Sequence, residues 1–234
     1  MIYIVENYWH ALLYSNGYQM TGVAMTLWLL VISCCIGFCL ALPLAIARNS
    51  KNPLIWLPVW IYGFIFRGTP LYVQLLLIYS GIYGLHFVHS TAVLAGFFKS
   101  AINCTLLSFA LNTGAYTTEI FYGAIRDTPY GEVEAGRAYG MSRFTLYRRI
   151  IIPSALRRAL PMYSNEVILM LHATTLAFTA TVPDILKITN DAYIATYDPF
   201  DAFGLAALLY ACISFTLIFL FRKAEKRFLI HLAA

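Results

Sequence analysis

Three charged side chains lie inside long apolar stretches of this sequence, namely Arg67, Glu119 and Glu166. If such stretches cross a membrane, a charge at mid-bilayer costs about 2.5 to 3.5 kcal/mol on insertion scales, so it indicates a function. A guanidinium can bind a carboxylate through two hydrogen bonds, and a carboxylate can bind a cation. These residue types therefore predict a site at which charges pair, either with the charged groups of a ligand or with one another.

The elements that would position these residues are apolar helices. The chain of 234 residues is 60% hydrophobic and 12% charged, with a mean hydropathy of +0.70, whereas soluble domains have about 25% charged residues. This composition excludes a soluble domain, and the hydrophobicity excludes disorder. We expect an all-α polytopic membrane protein with a single domain over residues 1–234. A helical span needs about 20 apolar residues. Five segments meet this requirement: about 24–47, 56–82, 101–125, 159–180 and 203–221. A loop over 126–158 separates the third segment from the fourth.

The basic residues are distributed unevenly around these segments. Of the 16 Lys and Arg residues, 13 fall on one side, two on the other, and Arg67 lies inside a segment. Because cytoplasmic loops carry the excess of basic residues, we expect an N-terminus outside the cell membrane and a cytoplasmic C-terminus. The net charge of +5 then reflects topology, and no nucleic-acid partner is expected. Residues 1–20 contain no Lys or Arg, so we expect no cleaved signal peptide.

Arg67 precedes a proline that should interrupt its helix. Pro70 cannot donate a backbone hydrogen bond and clashes with the preceding turn, so we expect a kink or unwound backbone at residues 68–70. Unwound backbone is tolerated at membrane depth only beside protein or a water-filled cavity, which makes Arg67 and Thr69 candidates for a ligand pathway. Arg67 would bind a ligand carboxylate or Glu166. A structural ion pair, or an arginine that reaches the membrane surface, explains it as well.

Other polar residues point toward the same pathway. Glu166 lies where a carboxylate needs a partner, either a cationic ligand group or an ion pair within the bundle. Asn112, Glu119 and Arg126 recur at intervals of seven residues and so lie near one helical face. Asn112 offers both a donor and an acceptor and is a candidate for lining the pathway; so is Tyr116, although helix packing explains a hydroxyl equally well. Glu119 lies nearer the cytoplasm and is expected to be a gate or structural carboxylate.

The loop over 126–158 predicts two short helices. Residues 132–139 form the first, with acidic residues in its first turn, which suits the helix dipole. Gly140 is well placed to end it, and Ser142 to cap the second. Pro153 is expected to end that second helix. The two helices would project as a knob into the cytoplasm.

The same loop carries a spaced motif. Inner-membrane permease subunits of ATP-binding-cassette (ABC) importers have Glu-Ala-Ala, three residues, Gly, nine residues and Ile-x-Leu-Pro. The loop resembles this pattern as Glu134-Ala135-Gly136, Gly140 and Ile150-Ile151-Ile152-Pro153. Gly136 and Ile152 are departures, but the spacing is intact. The resemblance implies the type I importer permease fold, with this segment as the coupling helix that docks on an ATPase subunit; an ordinary interfacial loop is the alternative.

The resemblance extends along essentially the whole chain. Segments 66–75, 111–121 and 165–172 are similar to signatures of the polar amino-acid permeases, most specifically the M-type subunits of importers for histidine, arginine, lysine and ornithine. This implies import of basic amino acids through a site near Arg67, Asn112 and Glu166, with another polar amino acid as the alternative substrate. An ion-driven secondary carrier is the rival function. It would need no coupling helix, so the motif spacing argues against it.

Energy and partners must come from other chains. The sequence has no G-x-x-x-x-G-K-[ST] stretch for nucleotide, and no H-E-x-x-H or G-x-S-x-G that would indicate a hydrolase. Its five cysteines lack the spacing of a metal site. We therefore expect a permease, not an enzyme, with no cofactor in this chain. The resemblance implies a bacterial inner-membrane complex with a paralogous Q-type permease as heterodimer partner, two copies of an ATPase that binds ATP and Mg, and a periplasmic amino-acid-binding protein.

Residues 181–202 are expected to form an outer loop. It carries one basic residue, Lys187, and four acidic ones, Asp184, Asp191, Asp198 and Asp201. These would form either an acidic docking face for a binding protein or an ordinary solvated loop.

Overall fold

The computed structural model describes residues 2–229, which are helical with no strand among them beyond two isolated bridges. In chain order the α-helices are α1 (Ile2–Leu13), α2 (Gly22–Arg48), α3 (Pro53–Gly68), α4 (Leu71–Leu76), α5 (His86–Ser90), α6 (Ala92–Phe98), α7 (Ala101–Arg126), α8 (Tyr130–Ala138), α9 (Arg143–Leu146), α10 (Ile152–Ala173), α11 (Ile185–Thr196) and α12 (Pro199–Phe228). The remaining helical segments are wider π-helical turns after α4 (Leu77–Ile82) and α9 (Tyr147–Ile151), and a 3-10 helix after α10 (Thr174–Ala180).

Two helices, α2 and α12, are long and apolar enough to cross a membrane by themselves. Two bent pairs qualify when each is taken as one span: α3 with α4 and its π-helical turn, bent by 104°, and α6 with α7, bent by 82°. α10 does not qualify, because every 18-residue stretch of its 22 residues contains Arg157, Arg158 and Glu166. Length and composition thus support two to four spans, and the count of five remains a prediction.

The predicted break at residues 68–70 is present between α3 and α4. Pro70 has no N–H group to continue the helical pattern, and the side chain of Gln74 supplies a donor instead. Gln74 Nε2 lies 2.8 Å from Phe66 O and 3.0 Å from Thr69 O. The amide thereby contacts carbonyls that the interrupted helix leaves without partners, and the bend is stabilised from within.

α7 lies at the centre of the bundle and packs against α2, α3, α4 and α10. α2 approaches it closely because Gly37 has no side chain: a Cβ there would lie 2.6 Å from Thr113 Cγ2 and 3.1 Å from Gly114 N. Leu29 of α2 and Phe109 of α7 are fully buried in the adjoining apolar core. This pair of helices therefore forms the rigid frame on which the other helices pack.

The two short helices predicted after α7 are confirmed, as α8 and α9. α8 ends in a Schellman motif: Gly140, with φ of +72°, donates to Arg137 O at 2.9 Å, and Met141 donates to Gly136 O at 3.1 Å. Ser142 Oγ then caps α9 by accepting from Thr145 N at 3.3 Å. A glycine is suited to this turn because the left-handed conformation costs it no steric strain.

The expectation that Pro153 ends the second short helix is wrong. Helical structure continues from α9 through the π-helical turn into α10, and Pro153 lies in the first turn of α10. The helical backbone reaches Pro153 without a break, and the turn directly before it has the wider π-helical hydrogen-bond pattern instead of the α-helical one. α9 and α10 therefore connect without a loop, which joins the knob directly to the helix that carries Glu166.

The outer segment 181–202 is also more ordered than expected, because it contains α11. Asp184 caps this helix by accepting from Lys187 N at 2.8 Å, and it is fully buried, with Tyr210 Oη donating to it at 3.2 Å. Lys187 pairs with Asp191 one turn further on. Asp184 is thus a structural carboxylate and does not contribute to an acidic outer face.

Candidate functional site

A cavity of about 660 Å³ lies between α7 and α10, beside the end of α3. Its walls are mostly apolar but hold charged groups of both signs. The ionisable residues that line it are Arg67, Glu119, Asp127, Arg158 and Glu166. An open space with fixed charges of both signs can hold a zwitterion, because each ligand charge has a partner of opposite sign.

Glu166 is the most buried carboxylate of this cavity, with 7% of its surface exposed. Its Oε1 accepts from Thr113 Oγ1 at 3.0 Å. Among the described residues, its second oxygen has no hydrogen bond and no cation within ion-pair distance. One lone-pair face of this carboxylate therefore remains available to a ligand in the cavity.

Glu119 joins two arginines from different helices. Its Oε1 lies 3.5 Å from Arg48 Nε, and its Oε2 lies 3.8 Å from Arg67 Nη1. Arg67 also lies over the ring of Tyr116, 5.6 Å from its centroid, and Tyr116 Oη donates to Arg67 O at 3.4 Å. Arg67 thus pairs with Glu119 rather than with Glu166, and the long 3.8 Å contact leaves its guanidinium accessible.

Asn112 and Thr69 do not line the cavity. Asn112 is 7% exposed, and its Nδ2 donates to Phe66 O at 3.0 Å and to Gln74 Oε1 at 3.1 Å. Thr69 Oγ1 donates to Ile65 O at 2.8 Å. Both side chains serve the bend between α3 and α4. The structure therefore brings Arg67, Tyr116, Glu119 and Glu166 together at the cavity. It places Asn112 and Thr69 at the bend between α3 and α4, outside the cavity wall.

Sequence reasoning assigned no role at this site to three residues beside it: Arg48, Arg158 and Asn165. Arg48 is the last residue of α2 and contributes to the Glu119 pair. Arg158 and Asn165 line the cavity. Helical spacing could have identified Arg158, because positions 158, 162, 165 and 169 recur every three or four residues on one face. No comparable periodicity in the sequence indicates that Arg48 is the partner of Glu119.

Four of the predicted coupling residues lie on the knob made by α8 and α9, namely Glu134, Ala135, Gly136 and Gly140, whereas Pro153 lies in α10. Glu134 and Ala135 are exposed, and Gly136 is buried against the helix that follows. A Cβ on Gly136 would lie 2.6 Å from Leu146 Cδ1 and 2.8 Å from Ile150 Cδ1. The departure from alanine at this position therefore permits a closer contact between α8 and the turn after α9, while Glu134 stays free for a partner.

A chain of hydrogen bonds connects the knob to the cavity wall. Ser154 Oγ donates to Glu132 Oε2 at 3.1 Å, and Arg158 Nη1 donates to Ser154 Oγ at 2.6 Å. Arg158 Nη2 reaches α7 by donating to Ala124 O at 3.0 Å and to Thr128 Oγ1 at 2.9 Å. α8, α10 and the end of α7 are therefore linked through one guanidinium.

The sequence matches the family model described as the binding-protein-dependent transport system inner membrane component, over residues 35–228. The chain belongs to this family. The permease is 63% identical over 231 residues to the histidine/lysine/arginine/ornithine transport system permease protein HisM of Escherichia coli (strain K12), covering 99% of this chain and 97% of the relative. It is 41% identical over 206 residues to the nopaline transport system permease protein NocM of Agrobacterium fabrum, covering 88% of this chain and 86% of that one.

A solved structure supports the fold as well. The permease superimposes with a TM-score of 0.76 and 30% identity on a chain of the crystal structure of an amino acid ABC transporter with histidines. The match covers 87% of this chain and 90% of that one. The protein is therefore a membrane permease component, helical without strands over residues 2–229, and not an enzyme.

Proposed function

We propose that this permease is a subunit of an ATP-driven, binding-protein-dependent importer of the basic amino acids histidine, arginine, lysine and ornithine. The observation that carries this proposal is the charge balance of the cavity between α7 and α10. It holds three carboxylates, and both of its arginines are engaged, Arg67 with Glu119 and Arg158 with Ser154 and α7. The uncompensated Glu166 then favours a cationic ligand. The name of the Escherichia coli relative supports the same substrates.

Within this site, Arg67 would bind the α-carboxylate of the substrate. Its contact with Glu119 at 3.8 Å is loose, so a substrate carboxylate can form the closer bidentate pair. Glu166 would bind the α-amino group or the basic side chain through its second oxygen. Tyr116 positions Arg67, and Asn112 and Thr69 keep α3 and α4 bent at the edge of the site. Glu119 acts as the gate carboxylate that holds Arg67 when no substrate is bound.

Replacement of Glu166 by glutamine tests the site. The Glu166→Gln variant keeps the shape and an acceptor for Thr113 but loses the charge. A hydrogen bond to a charged group is worth roughly 1.5–3 kcal/mol, so we expect uptake of arginine and lysine at limiting substrate to fall about tenfold or more. Uptake of labelled amino acids into proteoliposomes measures this. Glu6→Gln, an exposed carboxylate of α1, is the matched control; unchanged uptake in Glu166→Gln would remove the proposed cation contact.

The knob made by α8 and α9 would dock on an ATPase subunit, which binds ATP and Mg. Exposed Glu134 and Ala135 provide the contact, and the Schellman turn at Gly140 sets the angle between the two helices. Pro153 and the hydrogen-bonded chain through Arg158 would carry movement of the knob into α10. The complete importer would contain a paralogous Q-type permease as heterodimer partner, two ATPase copies and a periplasmic amino-acid-binding protein.

Reversing the charge of the knob tests this coupling. We expect Glu134→Lys to abolish uptake while the permease still inserts in the membrane, because Glu134 is exposed and has no hydrogen bond or ion pair among the described residues. Membrane abundance, uptake and co-purification with an ATPase would be measured together, with Glu6→Lys as the control. Normal uptake by Glu134→Lys would exclude the coupling role. Uptake that persists without ATP would indicate an ion-driven carrier instead.

The topology proposed for this importer has five spans. α2, the bent pair of α3 and α4, α7, α10 and α12 would each cross the inner membrane. The N-terminus would lie in the periplasm and the C-terminus in the cytoplasm. The distribution of basic residues, 13 on one side and two on the other, supports this orientation.

A further inference from the structure

An apolar cleft of about 410 Å³ lies on a side of α10 that does not face the candidate site. Four helices form it. Its walls include Phe38 of α2, Phe121 of α7, Leu156 and Leu160 of α10, and Phe221 of α12. A cleft with walls of this kind provides van der Waals contacts to a hydrocarbon chain and almost no polar partner.

A second, polar cavity of about 350 Å³ adjoins the cleft. The two share Pro153, Arg157 and Phe228 in their walls, so one continues into the other. The polar cavity also contains Arg149 and Glu132. Glu132 accepts from Ser154, whereas neither arginine has a hydrogen bond or an ion pair among the described residues. Two arginines against one carboxylate thus give this polar cavity a net positive charge at the mouth of an apolar cleft.

The helical positions separate this pair of cavities from the substrate site. Residues 158, 162, 165 and 169 of α10 line the site cavity, whereas 153, 156, 160 and 163 line the cleft. Each set repeats every three or four residues, so the two sets occupy opposite faces of the helix. The cleft is therefore not part of the proposed pathway for amino acids.

The position along the helices matches the boundary of a bilayer. Phe221 of the cleft is the last residue of the apolar stretch 203–221 of α12, which is largely exposed. Phe228, shared by both cavities, follows the basic residues of the last turns of that helix. Basic residues just beyond the end of an apolar helix lie at the level of lipid headgroups. The apolar cleft then extends toward the hydrocarbon, and the arginines remain in the headgroup region.

We propose that these joined cavities bind one anionic phospholipid, with an acyl chain in the cleft and its phosphate between Arg149 and Arg157. Both parts of such a lipid find a complementary partner: the cleft is apolar, and the two guanidinium groups can hydrogen-bond the phosphate oxygens. A zwitterionic lipid carries its own cation and would be bound less tightly. A free phosphate has no acyl chain, so it would leave the apolar cleft empty.

The test measures lipid binding to the full-length permease, purified in mild detergent with its co-purifying subunits. Phosphatidylglycerol and phosphatidylcholine with the same acyl chains are titrated, and bound lipid is counted by native mass spectrometry. Each arginine of the pair would donate a charge-assisted hydrogen bond to the phosphate, so the Arg149→Gln/Arg157→Gln variant should bind phosphatidylglycerol about 100-fold more weakly. Arg148→Gln/Arg222→Gln removes two exposed arginines that line neither cavity and should bind it as the wild type does.

A second variant tests the cleft. Leu160→Trp places a larger side chain in the apolar cleft. It should weaken the binding of phosphatidylglycerol while both arginines stay in place. Equal affinities for the two lipids, or unchanged phosphatidylglycerol binding in the Arg149→Gln/Arg157→Gln variant, would overturn the proposal. Competition by inorganic phosphate with no effect of Leu160→Trp would assign a phosphate site and likewise overturn it.

Discussion

At the scale of single residues, burial gives two carboxylates different roles. Glu166 and Asp184 are both almost fully buried, and each accepts a hydrogen bond from a hydroxyl group, Thr113 for Glu166 and Tyr210 for Asp184. Glu166 keeps one oxygen toward a cavity. Asp184 also accepts from the backbone N–H of Lys187 and caps α11. Both of its carboxylate oxygens therefore accept hydrogen bonds from groups of the fold itself. The same side-chain chemistry therefore supports a ligand contact in one place and a helix cap in the other.

Asp184 should make stability depend on pH. It lies outside the proposed spans, and burial raises its pKa from 3.8 to about 6 against the lowering effect of its hydrogen bonds. The folded state then binds the proton more tightly than the unfolded state, so this stabilisation is complete below about pH 4 and is lost as the pH rises through about 6. Between about pH 4.5 and 7.5 we expect a loss of roughly 2 kcal/mol in the free energy of unfolding.

Unfolding in detergent at these two pH values measures the effect. Asp184→Asn keeps an acceptor for the helix cap but does not titrate, so it should reduce the pH dependence by that amount. Asp191→Asn, which removes a more exposed carboxylate of the same helix, should leave it in place. An unchanged pH dependence in Asp184→Asn would contradict the assignment.

At the scale of elements, α2 and α7 determine how the site is held. Arg48 at the end of α2 reaches Glu119 in α7, and Thr113, which meets Glu166, lies where Gly37 lets the two helices approach. Separation of these helices would therefore displace Glu119 and Glu166. The bend between α3 and α4 has a comparable role, because it places Arg67 beside α7.

Gly37→Leu should force α2 away from α7. Its Cβ alone would meet Thr113 Cγ2 at 2.6 Å and Gly114 N at 3.1 Å, and the latter is backbone that cannot rotate aside. Overpacking of this kind costs roughly 1–3 kcal/mol, which should appear as a lower unfolding temperature and weaker uptake. Gly96→Leu is the control, since a Cβ there meets nothing within 4 Å. Equal stability of the two variants would show that the helix contact is not tight.

At the scale of the whole molecule, the proposed orientation places the knob and α11 on opposite sides of the membrane. The knob carries the exposed Tyr139, and α11 carries the exposed Ala195. The clustering of basic residues around the knob and the buried cap of α11 suit a cytoplasmic and a periplasmic position, respectively. This arrangement is required if an ATPase and a binding protein are to act on the same chain.

Labelling of single cysteines tests the orientation. In a chain whose five native cysteines are replaced, Ala195→Cys should react with a membrane-impermeant maleimide in intact spheroplasts. Tyr139→Cys should react only in inverted vesicles. Labelling of both residues from one side would contradict the proposed topology.

Local properties of the chain determined its helical membrane character, the break before α4 and the C-terminal end of α8. Charge content depends on composition alone, Pro70 lacks an N–H wherever it is placed, and Gly140 permits a left-handed turn regardless of its surroundings. The motif around Glu134 needed only spacing. These features follow from the sequence because each one acts on its nearest neighbours.

The pairing of side chains was decided by the tertiary structure. Glu119 meets Arg48, 71 positions away, only because α2 packs on α7, and Asn112 turns to Gln74 at the bend and away from the cavity. Pro153 was misjudged because a proline usually ends a helix interior, whereas here the helix continues through it after a π-helical turn. Such contacts depend on how distant helices approach one another, and periodicity along the chain carries no information about that approach.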